Sequence, residues 1–111
     1  MKYENIIEDL KMVLEEKFAT EVLVLEISKI STLGDYFIIA TGKNENQIQA
    51  MAKGAMDCLH KYNLYQKHHE GGYNSGWALL DFGDIILHIF DETSRNFYNI
   101  ERLWSDAIVK E

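Results

Sequence analysis

Proline is absent from the 111 residues, and there is a single cysteine. Without proline no rigid turn or extended linker divides the chain. No stretch is low in complexity and no internal repeat is visible, so residues 1–111 read as one domain. The lone Cys58 excludes an internal disulfide and a cysteine-based zinc site, and it points to a reducing compartment. Basic residues are scarce as well: 11 Lys and Arg stand against 18 Asp and Glu, a net charge of −7. That deficit argues against tracking a DNA or RNA backbone, which takes a basic stripe, and against adsorption to anionic lipid. No apolar run approaches the ~20 residues that span a bilayer. The start, Met1-Lys2-Tyr3-Glu4-Asn5, has neither the apolar core of a signal peptide nor the acid-poor character of a transit peptide. The expectation is a cytoplasmic domain whose acidic surface suits a basic protein partner.

What the chain does contain is clear alternation between helical and strand periods. Ile6, Ile7, Leu10, Val13, Leu14 and Phe18 recur at helical spacing and predict an amphipathic first helix. Val22 to Ile27 reads as a strand, and Tyr36 to Ala40, apolar throughout, as a strand covered on both faces. Asn44 is placed to cap a second helix with Ile48, Met51, Ala55, Leu59 and Tyr62 on its buried side, and Asn63 to stop it. Leu64 to His69 is a further short strand. Trp77–Asp81 and Asp84–Phe90 flank Phe82-Gly83 as a hairpin. Thr93 or Ser94 then caps a last helix with Phe97, Ile100 and Trp104 on its apolar side and Leu103 and Ala107 near them. The order α-β-β-α-β-β-β-α predicts an α/β domain with a mixed sheet packed with helices.

The hairpin also carries the chemistry. With a two-residue turn at Phe82-Gly83, Asp81 faces Asp84, Leu79 faces Ile86 and Trp77 faces His88, all on one face with Phe90. Ala78, Leu80, Ile85, Leu87 and Ile89 make the other face pure core. Asp81, Asp84 and His88 are oxygen and nitrogen ligands, so this face has the makings of a metal or acid/base site. The plainer account is that the aspartates are solvated turn residues and that His88 packs on Trp77. A recognition surface ranks next and metal chemistry last, so no metal, cofactor or catalytic residue is expected. Between Lys67 and Arg95 there is no lysine or arginine, while Glu70, Asp81, Asp84, Asp91 and Glu92 alternate with Tyr73, Trp77, Phe82 and Phe90. Acidic groups interleaved with aromatic anchors fit a basic protein patch. On the last helix Arg95, Tyr98 and Arg102 line up as a polar stripe, read from spacing alone as a solvated face. Trp104 has the position of either a core plug or a partner anchor.

These residues together resemble a known family. Asp35-Tyr36-Phe37, Ala40-Thr41-Gly42, Glu70-Gly71, Trp77, Asp81, Gly83-Asp84, His88, Phe90, Arg95, Phe97-Tyr98, Glu101, Leu103-Trp104 and Asp106-Ala107 follow the pattern of the ribosomal silencing factor (Iojap-like) family in order, spacing and type. Asn44 stands where many relatives carry serine, and Phe82 replaces a frequent tyrosine. The resemblance implies a nucleotidyltransferase-like fold and a translational repressor. Such a factor binds the large ribosomal subunit through ribosomal protein number fourteen and blocks joining of the small subunit when nutrients are scarce. It further implies a bacterial protein that is a homodimer off the ribosome, without a small-molecule substrate. The partner-binding set it implies is Trp77, Asp81, Asp84, His88, Arg95, Tyr98, Glu101, Leu103 and Trp104. Two alternatives stand beside it: an enzyme on the nucleotidyltransferase fold and a large-subunit assembly adaptor. The enzyme is disfavoured because Asp81 and Asp84 lie three apart across a turn, with no glycine-serine loop before them.

Overall fold

The computed structural model describes residues 3–28, 34–103 and 108–110. Helix α1 (Tyr3–Glu16) buries Ile6, Ile7, Leu10 and Leu14, which share one side of a 3.6-residue turn. It ends in a Schellman turn: Ala19 N–H donates to the Leu14 carbonyl and Phe18 N–H to the Glu15 carbonyl, both at 3.0 Å. Phe18 takes the left-handed position at φ 66° and is 81% exposed, so the apolar stripe stops before the phenylalanine expected to close it. Helix α2 (Glu45–His60) begins at Asn44, whose side chain accepts from Gln47 N–H at 2.9 Å, as the sequence predicts. Asn63, at φ 62°, terminates the turn beyond it. The Gln47 side-chain amide donates to the Lys17 and Phe18 carbonyls, so the start of α2 satisfies the open end of α1.

The sheet contains β1 (Thr20–Glu26), β2 (Tyr36–Thr41), β3 (His68–Glu70), β4 (Trp77–Asp81), β5 (Ile85–Phe90) and β6 (Ile108–Lys110), in the spatial order β3-β4-β5-β2-β1-β6. Among the described strands only the central pair, β2 and β5, is parallel. Both strands are close to continuously apolar because both of their faces are covered. On one face α1 and α2 pack on Val24, Ile38, Ala40, Leu80, Ile85, Leu87 and Ile89. On the other, Leu25, Ile27, Phe37, Ile39, Ile86, Phe90 and Ile100 form a second, smaller core, fringed by Leu23, Trp77 and Leu79. The mixed α/β architecture is the expected one. The strand expected at Leu64–His69 is shorter and later, at His68–Glu70. The last helix divides into α3 (Glu92–Tyr98) and α4 (Ile100–Leu103), because Asn99 adopts a left-handed conformation at φ 47° between them. Strand β6 then adds an unexpected edge beside β1.

The hairpin register is a correction. Leu79 pairs with His88, Asp81 with Ile86 and Trp77 with Phe90, so none of the expected pairs, Trp77 with His88, Leu79 with Ile86 and Asp81 with Asp84, forms. The turn sits one residue later than the sequence reading put it. Phe82 N–H donates to the Ile85 carbonyl, and Gly83-Asp84 are the two central residues. Gly83 has φ 95°, the positive value a type II′ turn demands at its first central position. Phe82 is 2% exposed and belongs to the core. Moving the turn by one shifts the pairing by two, an even step that leaves each strand residue on its expected face.

Candidate functional site

Even-step pairing puts Trp77, Leu79 and Asp81 of β4 beside Ile86, His88 and Phe90 of β5, on the face away from α1 and α2. Phe37 joins from β2 and Tyr98 from the end of α3. The rings form a continuous plate. Trp77 stacks on Phe90 at 5.4 Å between centroids and on His88 at 6.0 Å, and it meets Tyr98 at 4.8 Å. Phe37 meets His88 edge-on at 4.8 Å, and Phe97 meets Tyr98 edge-on at 5.1 Å. Depth is graded across the plate. His88 and Phe90 are buried, Trp77 and Leu79 half-buried, Tyr98 45% exposed and Phe97 79% exposed. Phe97 was expected on the apolar side of the helix. Helix α3 instead turns Arg95 inward, which rotates Phe97 outward.

His88 is the chemical centre of the plate without being its surface. Trp77 Nε1–H donates to His88 Nδ1 at 3.2 Å, so the imidazole is neutral and carries its proton on Nε2. That Nε2 is buried and has no hydrogen-bond partner among the described residues. Burial depresses its pKa from 6.5 to about 4, because charging the ring would leave an ion among aromatic groups.

Arg95 is likewise interior, only 6% exposed, which corrects its reading as part of a solvated stripe. The sequence suggested Thr93 or Ser94 as the cap of this helix. The cap is Asp91, whose side chain accepts from Ser94 N–H at 2.7 Å. That start points Arg95 at the sheet, where Nη1 donates to Thr41 Oγ1 at 2.9 Å and to the Glu21 carbonyl, and Nε lies 3.7 Å from the Glu21 carboxylate. Glu21 sits at φ 51° within the bulge of β1, between Thr20 and Leu23. The bulge turns its carbonyl out of the strand ladder and toward the guanidinium.

The carboxylates divide. Asp81 holds the turn by accepting from Gly83 N–H at 2.7 Å, yet stays half-exposed beside the plate. Asp84 lies in the turn itself, exposed, and accepts from the Tyr3 hydroxyl of α1. That bond pushes the Tyr3 phenol up to about 12. Asp81, Asp84 and His88 are therefore not brought together as ligands, and among the described residues no three such groups converge on a metal position. Pairing of β3 with β4 adds two rim residues absent from the implied set: Glu70 opposite Leu79 and His68 opposite Asp81, on the plate's face. Glu70 already stood among the acidic groups of the Lys/Arg-free stretch, but the placement of both residues on this face lay in the register of a three-residue strand, which local pattern does not carry. Trp104 lies outside the described residues, and Glu101 and Leu103 are placed by their backbone in α4.

The family model described as ribosomal silencing factor during starvation matches residues 2–111. The chain belongs to the ribosomal silencing factor family. The ribosomal silencing factor of Bacillus subtilis (strain 168) is 34% identical over 107 residues, spanning 96% of this chain and 91% of that protein. A crystal structure of a Chromobacterium violaceum protein is similar at a TM-score of 0.86 and 29% identity, covering 95% of this chain and 88% of the other. One from Bacillus halodurans reaches 0.81 at 30% identity, covering 97% and 98%. Membership gives the chain a ribosome-associated role in regulating translation. No helix among the described residues is long and apolar enough to cross a membrane.

Proposed function

We propose that the chain represses translation by docking its aromatic plate on the large ribosomal subunit, against ribosomal protein number fourteen, so that the small subunit is kept from joining under nutrient limitation. The observation that carries this reading is the graded plate itself. Half-exposed Trp77 and Leu79 lie beside Tyr98 and Phe97 of α3 and are rimmed by Asp81 and Glu70, and residues 68–94, which hold all of these but the α3 pair, contain no lysine or arginine. Apolar anchors supply affinity at such a surface and the carboxylates steer a basic partner toward it. In this reading the factor acts in the cytoplasm by occupying a surface, without turnover. His88 and Arg95 serve as positioning residues, one beneath Trp77 and the other under α3. Asp84 contributes charge from the turn. Glu101, Leu103 and Trp104 remain in the set on the family resemblance alone. Off the ribosome the same apolar patch is the surface on which a homodimer closes.

Surface-plasmon kinetics against the isolated ribosomal protein test the docking. Trp77→Ala should raise the dissociation rate enough to lose about 2 kcal/mol, and Asp81→Lys should slow association most at low salt. Sedimentation with ribosomal particles separates the roles. Co-migration with mature large subunits supports silencing, while co-migration with immature particles turns the reading into an assembly role. A folded Trp77→Ala, Asp81→Lys variant that binds large subunits at wild-type affinity refutes the face.

A further inference from the structure

Helix α1 presents two flanks that differ in what they touch. On one, Tyr62 and Lys61 of the α2 end reach Asp9, and the aliphatic stem of Lys17 lies over Gly54. The other flank carries Glu4, Glu8, Lys11, Met12 and Glu15, spaced so that they form one stripe along the helix. This stripe walls a groove of about 460 Å³ whose floor is Ile7, Val24 and Tyr36. No side chain of Glu4, Glu8, Lys11 or Glu15 takes part in a hydrogen bond or ion pair among the described residues. Met12 is 56% exposed at the groove's edge, a large apolar group without cover. The last turn of α1 holds Glu15 and Glu16 and no basic residue, so acidic side chains stand at the negative end of the helix dipole, where a cation is favoured.

We propose that this groove, on the opposite side of the sheet from the aromatic plate, is a second docking site that takes an extended, lysine-bearing segment of a partner protein. Among the described lining residues, three carboxylates against one ammonium select a cationic occupant. The apolar floor and Met12 select one with aliphatic side chains between its charges, which sets it apart from a simple polycation. Glu4 to Glu15 covers roughly 16 Å of helix axis, the reach of about five extended residues. Lysines at alternate positions of such a segment meet the glutamates, while the residues between them lie on Val24 and Tyr36.

The test uses the full chain, ¹⁵N-labelled, titrated with the acetylated and amidated peptide Lys-Leu-Lys-Leu-Lys at low salt. Amide shifts are expected to concentrate on Glu4–Glu15, Val24 and Tyr36. The exposed double variant Glu8→Gln, Glu15→Gln should weaken the peptide about fivefold, the scale of two exposed ion pairs. Glu45→Gln, Asp57→Asn removes the same charge from α2 and should leave binding unchanged, and thermal melts establish that both variants fold. Met12→Gln should weaken binding without changing charge. Shifts centred on residues 70–92, equal loss in the α2 variant, or displacement of the peptide by spermidine at matched charge would each overturn the proposal. Loss of peptide binding with ribosomal co-sedimentation intact separates this groove from the plate.

Discussion

Protonating His88 should destabilise the protein from the inside, and the size of the effect follows from its surroundings. The ring is 4% exposed, wedged between Trp77 and Phe37, and its pKa falls from 6.5 in a solvated chain to about 4. Between those values the unfolded chain binds more protons than the folded one, so stability falls as pH drops. At about 1.4 kcal/mol per decade of proton affinity, the total loss approaches about 3.4 kcal/mol below pH 4, of which about 2 kcal/mol falls between pH 7 and pH 5. Against a total of roughly 5–15 kcal/mol, that is a sizeable share. Urea unfolding at half-unit steps from pH 7.5 to pH 5 measures it, and His88→Gln removes the titrating group while leaving an acceptor for the Trp77 indole. The depressed Asp9 carboxyl, held down by the Tyr62 hydroxyl and by Lys61, adds its own loss only as the solution becomes more acidic than this window. The wild type should lose about 2 kcal/mol more than the variant over the range. Parallel profiles, or a His88 imidazole that titrates near 6.5 by NMR, would refute the claim of a dry neutral ring.

Three further outcomes follow from the same geometry. Arg95→Met should cost about 2–3 kcal/mol in urea unfolding, because Thr41 Oγ1 and the Glu21 carbonyl lose their donor inside the fold. Gly76→Ala should destabilise by more than about 1 kcal/mol in thermal melts: its φ is 87°, and a Cβ would come within 2.3 Å of Ser94 Oγ and 3.0 Å of the Asp91 carboxylate that caps α3. Asp91→Ala should lose about 1 kcal/mol of stability through the cap alone, and circular dichroism should show helix content falling with it.

Much of this arrangement was legible in the sequence because it is local. The stripes Ile6-Ile7-Leu10-Leu14 and Ile48-Met51-Ala55-Leu59, the Asn44 cap and the apolar run in β2 each declare a period or a hydrogen bond within a few residues. The face shared by Trp77, Asp81, His88 and Phe90 was also readable, since strand alternation survives an even slip of register. The slip itself was not. Phe82 and Gly83 together look like a turn, and only the core's demand for the Phe82 ring moves the turn to Gly83-Asp84. Arg95 was misread because a charge on a short helix is ordinarily solvated, and its partners Thr41 and Glu21 come from strands far away in sequence. Glu70 escaped the implied set, and β6 the strand order, for the same reason: three residues acquire a strand's geometry only from the neighbour they pair with.

The parallel contact between β2 and β5 bears on how the chain is made. Residues Tyr36 to Thr41 find their partners at Ile85 to Phe90, so the centre of the sheet closes only after α2, β3 and β4 have all been synthesised. Long-range closure of this kind slows folding relative to local contacts. On a nascent chain, β2 therefore waits with one apolar edge unpaired, and such edges are where misassembly begins. The β4–β5 hairpin, whose two strands are adjacent in sequence, closes through local contacts and so pairs faster than the long-range β2–β5 seam. A variant that weakens its turn, at Gly83, should then lengthen the vulnerable interval and lower soluble yield more than its effect on equilibrium stability would suggest.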